Sequence, residues 1–175
     1  MLHFRDIDPH SPDDIQCLVR WANDDSIRHL AQRFVSKEQS MRRLQPEYAS
    51  KMLGKAVRKG KCIQLIECHG VVIGEISLEI DCPCIVNPRP GTAWVGIVLG
   101  ESVGRGRGIG RKAMLHIESL AADRGAKRVQ IGVFEFNTRA RRLYESLGYV
   151  EISRQAEVTW WQGKMWTDIR LEKPL

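Results

Sequence analysis

The spacing of apolar residues alternates along the chain between the two-residue period of strands and the 3.6-residue period of helices. In order, it predicts a strand over residues 2–7, helices over 11–24 and 37–58, strands over 61–70, 71–81 and 92–100, a helix over 109–124, a strand over 127–136, a helix after 137, and strands over 149–161 and 164–173. Pro46 breaks the second helical segment. Because most strands follow one another directly and one strand–helix–strand crossover comes later, we expect an α+β fold rather than a doubly wound one.

Capping and turn residues mark several boundaries of these segments. Ser11 followed by Pro12 is typical of a helix N-terminus. Asn137 is a favoured N-cap residue ahead of the last predicted helix. His69–Gly70 and Gln162–Gly163 each separate two β-rich runs, and the pattern predicts tight hairpin turns at both places.

Length and charge narrow the class of protein. The chain has 175 residues, and we expect residues 1–175 to form a single domain. The net charge of +6 suits an anionic ligand, whether nucleic acid, a phosphorylated cofactor or a membrane surface. The sequence has no recognition helix, aromatic stacking platform, signal peptide or apolar run of membrane-spanning length. We therefore expect no nucleic-acid partner and no membrane association.

The five cysteines are odd in number, and only Cys82 and Cys84 lie close together. That pattern does not predict a disulfide framework at this length, so we expect a reducing, cytoplasmic setting. No second Cys/His pair at zinc spacing accompanies the C-P-C segment, and we expect a polar loop there and no metal site.

Residues 103–112 read VGRGRGIGRK, directly before the helix predicted over 109–124. A helix N-terminus exposes unpaired N–H groups and the positive end of the helix dipole, and arginines add charge. Glycines let the backbone approach an anion closely, so the segment suits a pyrophosphate. From spacing alone, a surface turn with solvated arginines also fits. Neither GxxxxGK[ST] nor GxGxxG is present.

Residues 105–110, RGRGIG, resemble the [RQ]-x-x-G-x-[GA] motif of the GNAT superfamily of N-acetyltransferases. Residues 137–149, NTRARRLYESLGY, resemble that superfamily's N-x-x-A-x-x-x-Y-x-x-x-G-[FY] segment. Residues 18–30 and 159–173 resemble the subgroup of ribosomal-protein N-terminal and polyamine acetyltransferases. The resemblance implies a mostly antiparallel, twisted sheet of six to seven strands, splayed between the fourth and fifth and flanked by about four helices.

The same resemblance implies that the protein transfers an acetyl group from acetyl-CoA to a primary amine by direct attack on the thioester. It implies coenzyme A contacts at Ile97, Val98, Leu99, Arg105, Gly106, Arg107, Gly108, Ile109, Gly110 and Asn137. It makes Tyr144 the general acid that serves the leaving thiolate. A core aromatic at Tyr144 and a plain N-cap at Asn137 are the alternatives from the residues alone.

The acceptor side is less well defined by the sequence. Trp21, Asp24, Asp25 and Trp94 are candidate acceptor contacts, because carboxylates and aromatic faces suit a cationic amine; capping and packing are the alternatives. Where many family members carry a glutamate on the fourth or fifth strand, this chain has Trp94 and Gly132, and neither can act as a base.

No general base is therefore assigned. Carboxylates near this region in the sequence are Glu75, Glu79, Glu101 and Glu135, and a chain of water molecules is a further alternative. The acceptor classes left open are a peptide N-terminus, a polyamine, an aminoglycoside and an amino sugar. Family members often form homodimers. The missing strand carboxylate leaves one alternative function, a coenzyme A-binding protein with a regulatory or structural role and no turnover.

Overall fold

The structure, a computed structural model, describes residues 1–175. The strands are β1 (Leu2–Asp6), β2 (Cys62–Cys68), β3 (Val71–Ile80), β4 (Thr92–Val98), β5 (Arg128–Phe134), β6 (Val150–Trp161) and β7 (Lys164–Pro174). The helices are α1 (Pro12–Asn23), α2 (Arg28–Ala31), α3 (Lys37–Met41), α4 (Pro46–Arg58), α5 (Ile109–Asp123) and α6 (Thr138–Ser146), and a 3-10 turn spans Ser102–Gly104.

The seven strands form one sheet in the order β1-β2-β3-β4-β5-β7-β6. Every neighbouring pair is antiparallel except β4 and β5, which run parallel. This arrangement confirms the predicted α+β fold and the strand count. The structure has six helices where about four were expected. The segment predicted over 37–58, broken at Pro46, forms two helices, α3 and α4, and α2 has only 4 residues, too few to produce a helical period in the sequence.

The sheet is covered on both faces, and each face has its own core. On one face, Ile76 and Leu78 of β3 pack with Ile117 of α5 and Tyr144 of α6. On the other face, α1 and α4 pack over the amino-terminal strands in a smaller cluster that includes Leu65 of β2. Glu75 and Ser77 pair with Leu65 and Ile63 of β2, so their side chains share this second face.

The predicted caps and turns are confirmed in detail. The Ser11 side chain accepts a hydrogen bond from the backbone N–H of Asp14, and Pro12 is the first residue of α1. His69–Gly70 and Gln162–Gly163 have positive φ angles, as the tightest hairpin turns require. Pro46 opens α4 instead of kinking a continuous helix, because proline needs no N–H partner at that position.

The structure corrects the expectation for the cysteines. Cys82 and Cys84 form a disulfide across the turn that contains Pro83, while Cys17, Cys62 and Cys68 remain thiols. The cysteine count predicts whether several disulfides hold a fold together. It does not predict a single bridge between residues two apart, because such a bridge closes only a local loop. None of the helices combines the length and the apolar character needed to cross a lipid bilayer.

A buried carboxylate attaches α1 to the edge of the sheet. Asp14 is 3% exposed, and both of its oxygens accept hydrogen bonds from the Arg5 guanidinium of β1, at 2.7 and 2.8 Å. The backbone N–H of Asp8 donates to the same group. The hydrogen bonds from Arg5 outweigh burial and hold the pKa of Asp14 below its usual value. The ion pair therefore stabilises the fold when Asp14 is ionised.

We expect Asp14→Asn to lower the free energy of unfolding by about 1–3 kcal/mol at neutral pH, because Arg5 loses its charged partner. The deficit should shrink as the pH falls below about 4, where the unfolded carboxyl takes up a proton and the wild-type advantage is progressively lost. Urea unfolding from pH 3 to 8 measures this, with the exposed neighbour Asp13→Asn as the control. A deficit that is independent of pH would contradict the assignment.

Candidate active site

The central feature of the candidate site is a break in the sheet between β4 and β5. The two strands pair at only three positions, ending at Trp94 with Gln130. β4 then runs on to Val98 and β5 to Phe134, each still held on its outer side by β3 or β7. Beyond the last pair, the two inner strand edges have no strand partner, and their N–H and C=O groups face an open seam.

The second feature is the N-terminus of α5, which follows β4. Gly108 is the N-cap residue and has a φ of 72°, a left-handed conformation that suits glycine. The N–H groups of Ile109, Gly110 and Arg111 have no acceptor within the chain. Because the positive end of the helix dipole lies at the same place, this turn can bind an anion.

Arginines around this turn have different roles. The Arg105 guanidinium donates hydrogen bonds to the backbone carbonyls of Leu99 and Gly100, at 3.2 and 2.8 Å, and so fixes the loop to the end of β4. Arg107 is exposed and does not line the cavity. Arg139 of α6 does line it, near Gly106, although the sequence motifs gave no indication of Arg139.

One cavity of about 670 Å³ joins the α5 turn, the seam and the opposite face of the sheet. The predicted site residues that line it are Trp94, Ile97, Val98, Leu99, Arg105, Gly106, Gly108, Ile109, Gly110, Asn137 and Tyr144. The structure therefore brings two distant sequence motifs together on one cavity wall. The Asn137 side chain also accepts a hydrogen bond from the backbone N–H of Ala140. Asn137 is therefore the N-cap of α6 as well as a residue of the cavity wall.

Tyr144 reaches the cavity from α6. Its side chain is 5% exposed and lines the cavity, and its hydroxyl forms no hydrogen bond with another group of the chain. Burial raises its pKa, which keeps the proton on the oxygen at neutral pH. Tyr144 therefore provides a protonated hydroxyl without a partner in the protein on the wall of the cavity.

A carboxylate that the sequence analysis missed lies on the other face of the seam. Asp168 of β7 is 6% exposed and lines the cavity. A Cβ atom on Gly132 would lie 3.0 Å from Oδ1 of Asp168 and 3.1 Å from the Trp94 ring, so only glycine leaves room for both groups there. Asp168 reaches this position through the pairing of β5 with β7, and no sequence motif predicts that pairing.

The electrostatics of Asp168 reflect two opposing influences. Burial raises its pKa, and the Arg170 guanidinium, 3.0 Å away, lowers it. Arg170 also lies over the Trp94 ring, with its central carbon 4.5 Å from the ring centroid. The net shift is upward, so Asp168 is a stronger proton acceptor than an ordinary surface aspartate.

The four glutamates considered as bases from the sequence lie in different environments. Glu101 accepts from the Trp21 indole N–H and from Arg20, and Glu135 pairs with Arg154 at the surface. Glu79 does not line the cavity. Glu75 does line it, and no side chain of the protein forms a hydrogen bond or an ion pair with Glu75.

The structure does not bring three of the predicted acceptor contacts to the cavity. Trp21 is 4% exposed and donates to Glu101. Asp24 accepts from the N–H of Ser26, and Asp25 pairs with Arg43. Their place is taken by α2, whose neighbourhood contributes apolar side chains to the cavity wall; these are Ile27, Leu30 and Ala31.

Known proteins resemble this chain in both sequence and fold. N-alpha-acetyltransferase 40 of Saccharomyces cerevisiae (strain ATCC 204508 / S288c) is 36% identical over 92 residues, which are 49% of this chain and 30% of that protein. The ribosomal-protein-alanine N-acetyltransferase from Brucella melitensis is 21% identical, with a TM-score of 0.79 over 99% of both chains. The spermidine N-acetyltransferase from Vibrio cholerae, in complex with CoA and spermine, is 15% identical, with a TM-score of 0.79 over 99% of this chain and 95% of that one.

The family model of the acetyltransferase (GNAT) family matches residues 18–149, most of the chain. That range contains the seam, the α5 turn and the whole of α6. The two solved structures share the fold at low identity, and the yeast relative shares sequence over about half of this chain. On the strength of the family match, the chain belongs to the GNAT family of acetyltransferases.

Proposed function

We propose that residues 1–175 form one acyltransferase domain that transfers the acetyl group of acetyl-CoA to a primary amine. The observation that carries this proposal is the single cavity that joins an anion-binding helix turn, an open sheet seam and two buried proton-transfer groups. The groups are Tyr144 on one side of the seam and Asp168 on the other. A cytoplasmic location and a homodimer stay predictions.

The residues present fit coenzyme A. Its amide-rich arm needs backbone partners, and the inner edge of β4 beyond Trp94 offers unpaired N–H and C=O groups. Its pyrophosphate needs donors and positive charge, which the N–H groups of Ile109–Arg111 provide together with the nearby Arg139. Arg105 is held by the carbonyls of Leu99 and Gly100, directly after β4, so we assign it the positioning of the loop.

The chain's own groups handle the protons. Asp168 accepts the proton that an ammonium group must lose before its nitrogen can attack. Acetyl-CoA supplies the acyl group, whose carbon–sulfur bond breaks as the carbon–nitrogen bond forms. Tyr144 gives its proton to the leaving sulfur, and the second proton lost by the nitrogen as the amide forms returns to Tyr144 through solvent, so that one proton, held by Asp168, is released for each acetyl group transferred. The Trp94 ring and the apolar residues of α2 exclude water around the reacting amine.

The direct test is release of free thiol from acetyl-CoA in the presence of a panel of polyamines, aminoglycosides, amino sugars and N-terminal peptides. The relatives are named for different acceptor amines, so the panel has to include several classes of acceptor. Release that depends on one class supports the proposal and identifies the acceptor. Coenzyme A binding without release from any class would instead support the regulatory alternative.

Tyr144→Phe should lower kcat by about 100-fold and leave the Kd for coenzyme A nearly unchanged, because the variant removes only a donor aimed at the leaving sulfur. The hydroxyl forms no hydrogen bond within the protein, so its removal should not lower the free energy of unfolding. Tyr149→Phe is the matched control. Its ring lies 6.0 Å from that of Tyr144, it is equally buried, and it does not line the cavity. Equal losses in both variants would exclude the acid role.

Asp168→Asn should lower kcat/KM by about 100-fold near neutral pH, because the amide cannot take the amine's proton. In the wild type, activity should fall on the acid side at a pKa above the usual aspartate value of about 3.9, since protonated Asp168 is inactive as a base. The deficit of the variant should shrink toward the pKa of the acceptor amine, where free amine is abundant. A pH profile with the exposed Asp123→Asn as control tests this, and a constant deficit would contradict it.

Gly108→Val should weaken coenzyme A binding by at least about tenfold, because a β-branched residue resists a φ of 72° and the anion-binding turn would be distorted. Gly125→Val carries the same backbone strain at the other end of α5, where φ is 84°. It should lower stability similarly and leave the Kd unchanged. Calorimetric titration with coenzyme A compares them, and equal affinities would remove the turn from the binding site.

A further inference from the structure

Glu75 is a carboxylate in the cavity that the proposed reaction does not use. It lies on β3, opposite Val98 of β4, and its side chain shares the face of the sheet that carries Asp168. Burial raises its pKa, and the only cation that counteracts this shift is Lys61. Lys61 also lines the cavity but forms no ion pair with Glu75.

The two cavity carboxylates lie on opposite sides of the seam. Glu75 is opposite Val98, and Asp168 is opposite Phe134, so each is level with a residue four positions beyond the last β4–β5 pair. Three inter-strand steps separate their strands, which puts their Cα atoms at least about 14 Å apart. An extended molecule that lies across the seam can therefore reach both.

The two carboxylates differ in what balances their charge. Asp168 has Arg170 at 3.0 Å, and the Arg33 charge also acts on it. Glu75 has no such partner, whereas Glu101 and Glu135 do. A partly buried carboxylate without a partner costs free energy unless a proton or an external cation neutralises it. Apolar side chains of α2 and its N-cap line the same cavity and lower its polarity, which strengthens such a pair.

We propose that Glu75 binds a second cationic group of the acceptor while the reacting amine lies near Asp168. The preferred acceptor is then a dicationic amine, in which a positive charge sits several bonds from the nitrogen that is acetylated. This inference rests on the proposed acetyl transfer and narrows its substrate class. Glu75 is a specificity-determining residue and does not take part in proton transfer.

The test compares acceptors that are matched in length and differ in charge. 1,5-Diaminopentane is set against pentylamine, and the dipeptide amide Ala-Lys against Ala-Gln, so that small diamines and basic peptides are distinguished as sources of the same chemistry. The wild type should prefer the dication by at least about tenfold in kcat/KM in one of the pairs. Glu75→Gln should bring that ratio to within about twofold of one, mainly by raising KM for the dication.

Two further variants sharpen the result. Lys61→Gln removes the competing cation and should increase the preference for the dication. Glu79→Gln, four residues along the same strand and on the same face but outside the cavity, should leave the ratio unchanged. A preference that survives in Glu75→Gln would overturn the proposal. So would an equal fall of kcat for both members of a pair, since that result would make Glu75 a base.

A binding measurement separates this inference from the proposed function. Calorimetry on the coenzyme A complex should show tighter binding of 1,5-diaminopentane than of pentylamine, and the difference should vanish in Glu75→Gln. If no amine in any panel is acetylated, the proposed transfer fails, yet this titration still decides whether Glu75 selects a dication. Equal affinity of the wild type for both amines would reject it.

Discussion

The rest of the structure depends on the early end of the hydrogen-bond ladder between β4 and β5. Three residue pairs hold the strands together, and beyond the Trp94–Gln130 pair each strand is supported only from its outer side. Unpaired backbone groups are costly when they are buried without partners, so an open seam in a sheet is stable only where a ligand or water satisfies it. The α5 turn and α6 border this seam, and both contribute residues to its cavity.

The seam also separates two kinds of electrostatic environment. On the α5 side, free backbone N–H groups and arginines provide positive potential for a polyanion. On the opposite face, Glu75 and Asp168 provide carboxylates in a partly apolar setting, where burial raises the pKa of each. The proposed function therefore assigns a phosphorylated donor and a cationic acceptor to opposite sides of one opening. The two substrates can meet there without competing for the same groups.

Much of this arrangement could be predicted from the sequence, because it depends on local signals. Glycine at positive φ, the caps at Ser11 and Asn137, and the two-residue turns are all encoded within a few residues of where they act. Asp168 could not be found that way. Its position over Gly132 follows from β7 inserting between β5 and β6, a long-range pairing. The position of Trp21 likewise depends on a long-range contact, its hydrogen bond to Glu101.

The central claim is that the open seam and the α5 turn together bind coenzyme A. Amide hydrogen exchange, resolved by residue and measured with and without coenzyme A, tests it most directly. We expect slowed exchange at residues 95–99 of β4 and its end and at residues 109–111 of α5, with little change in β1, β2 or α4. Unchanged exchange at both places under saturating coenzyme A, or protection confined to another surface, would contradict the account.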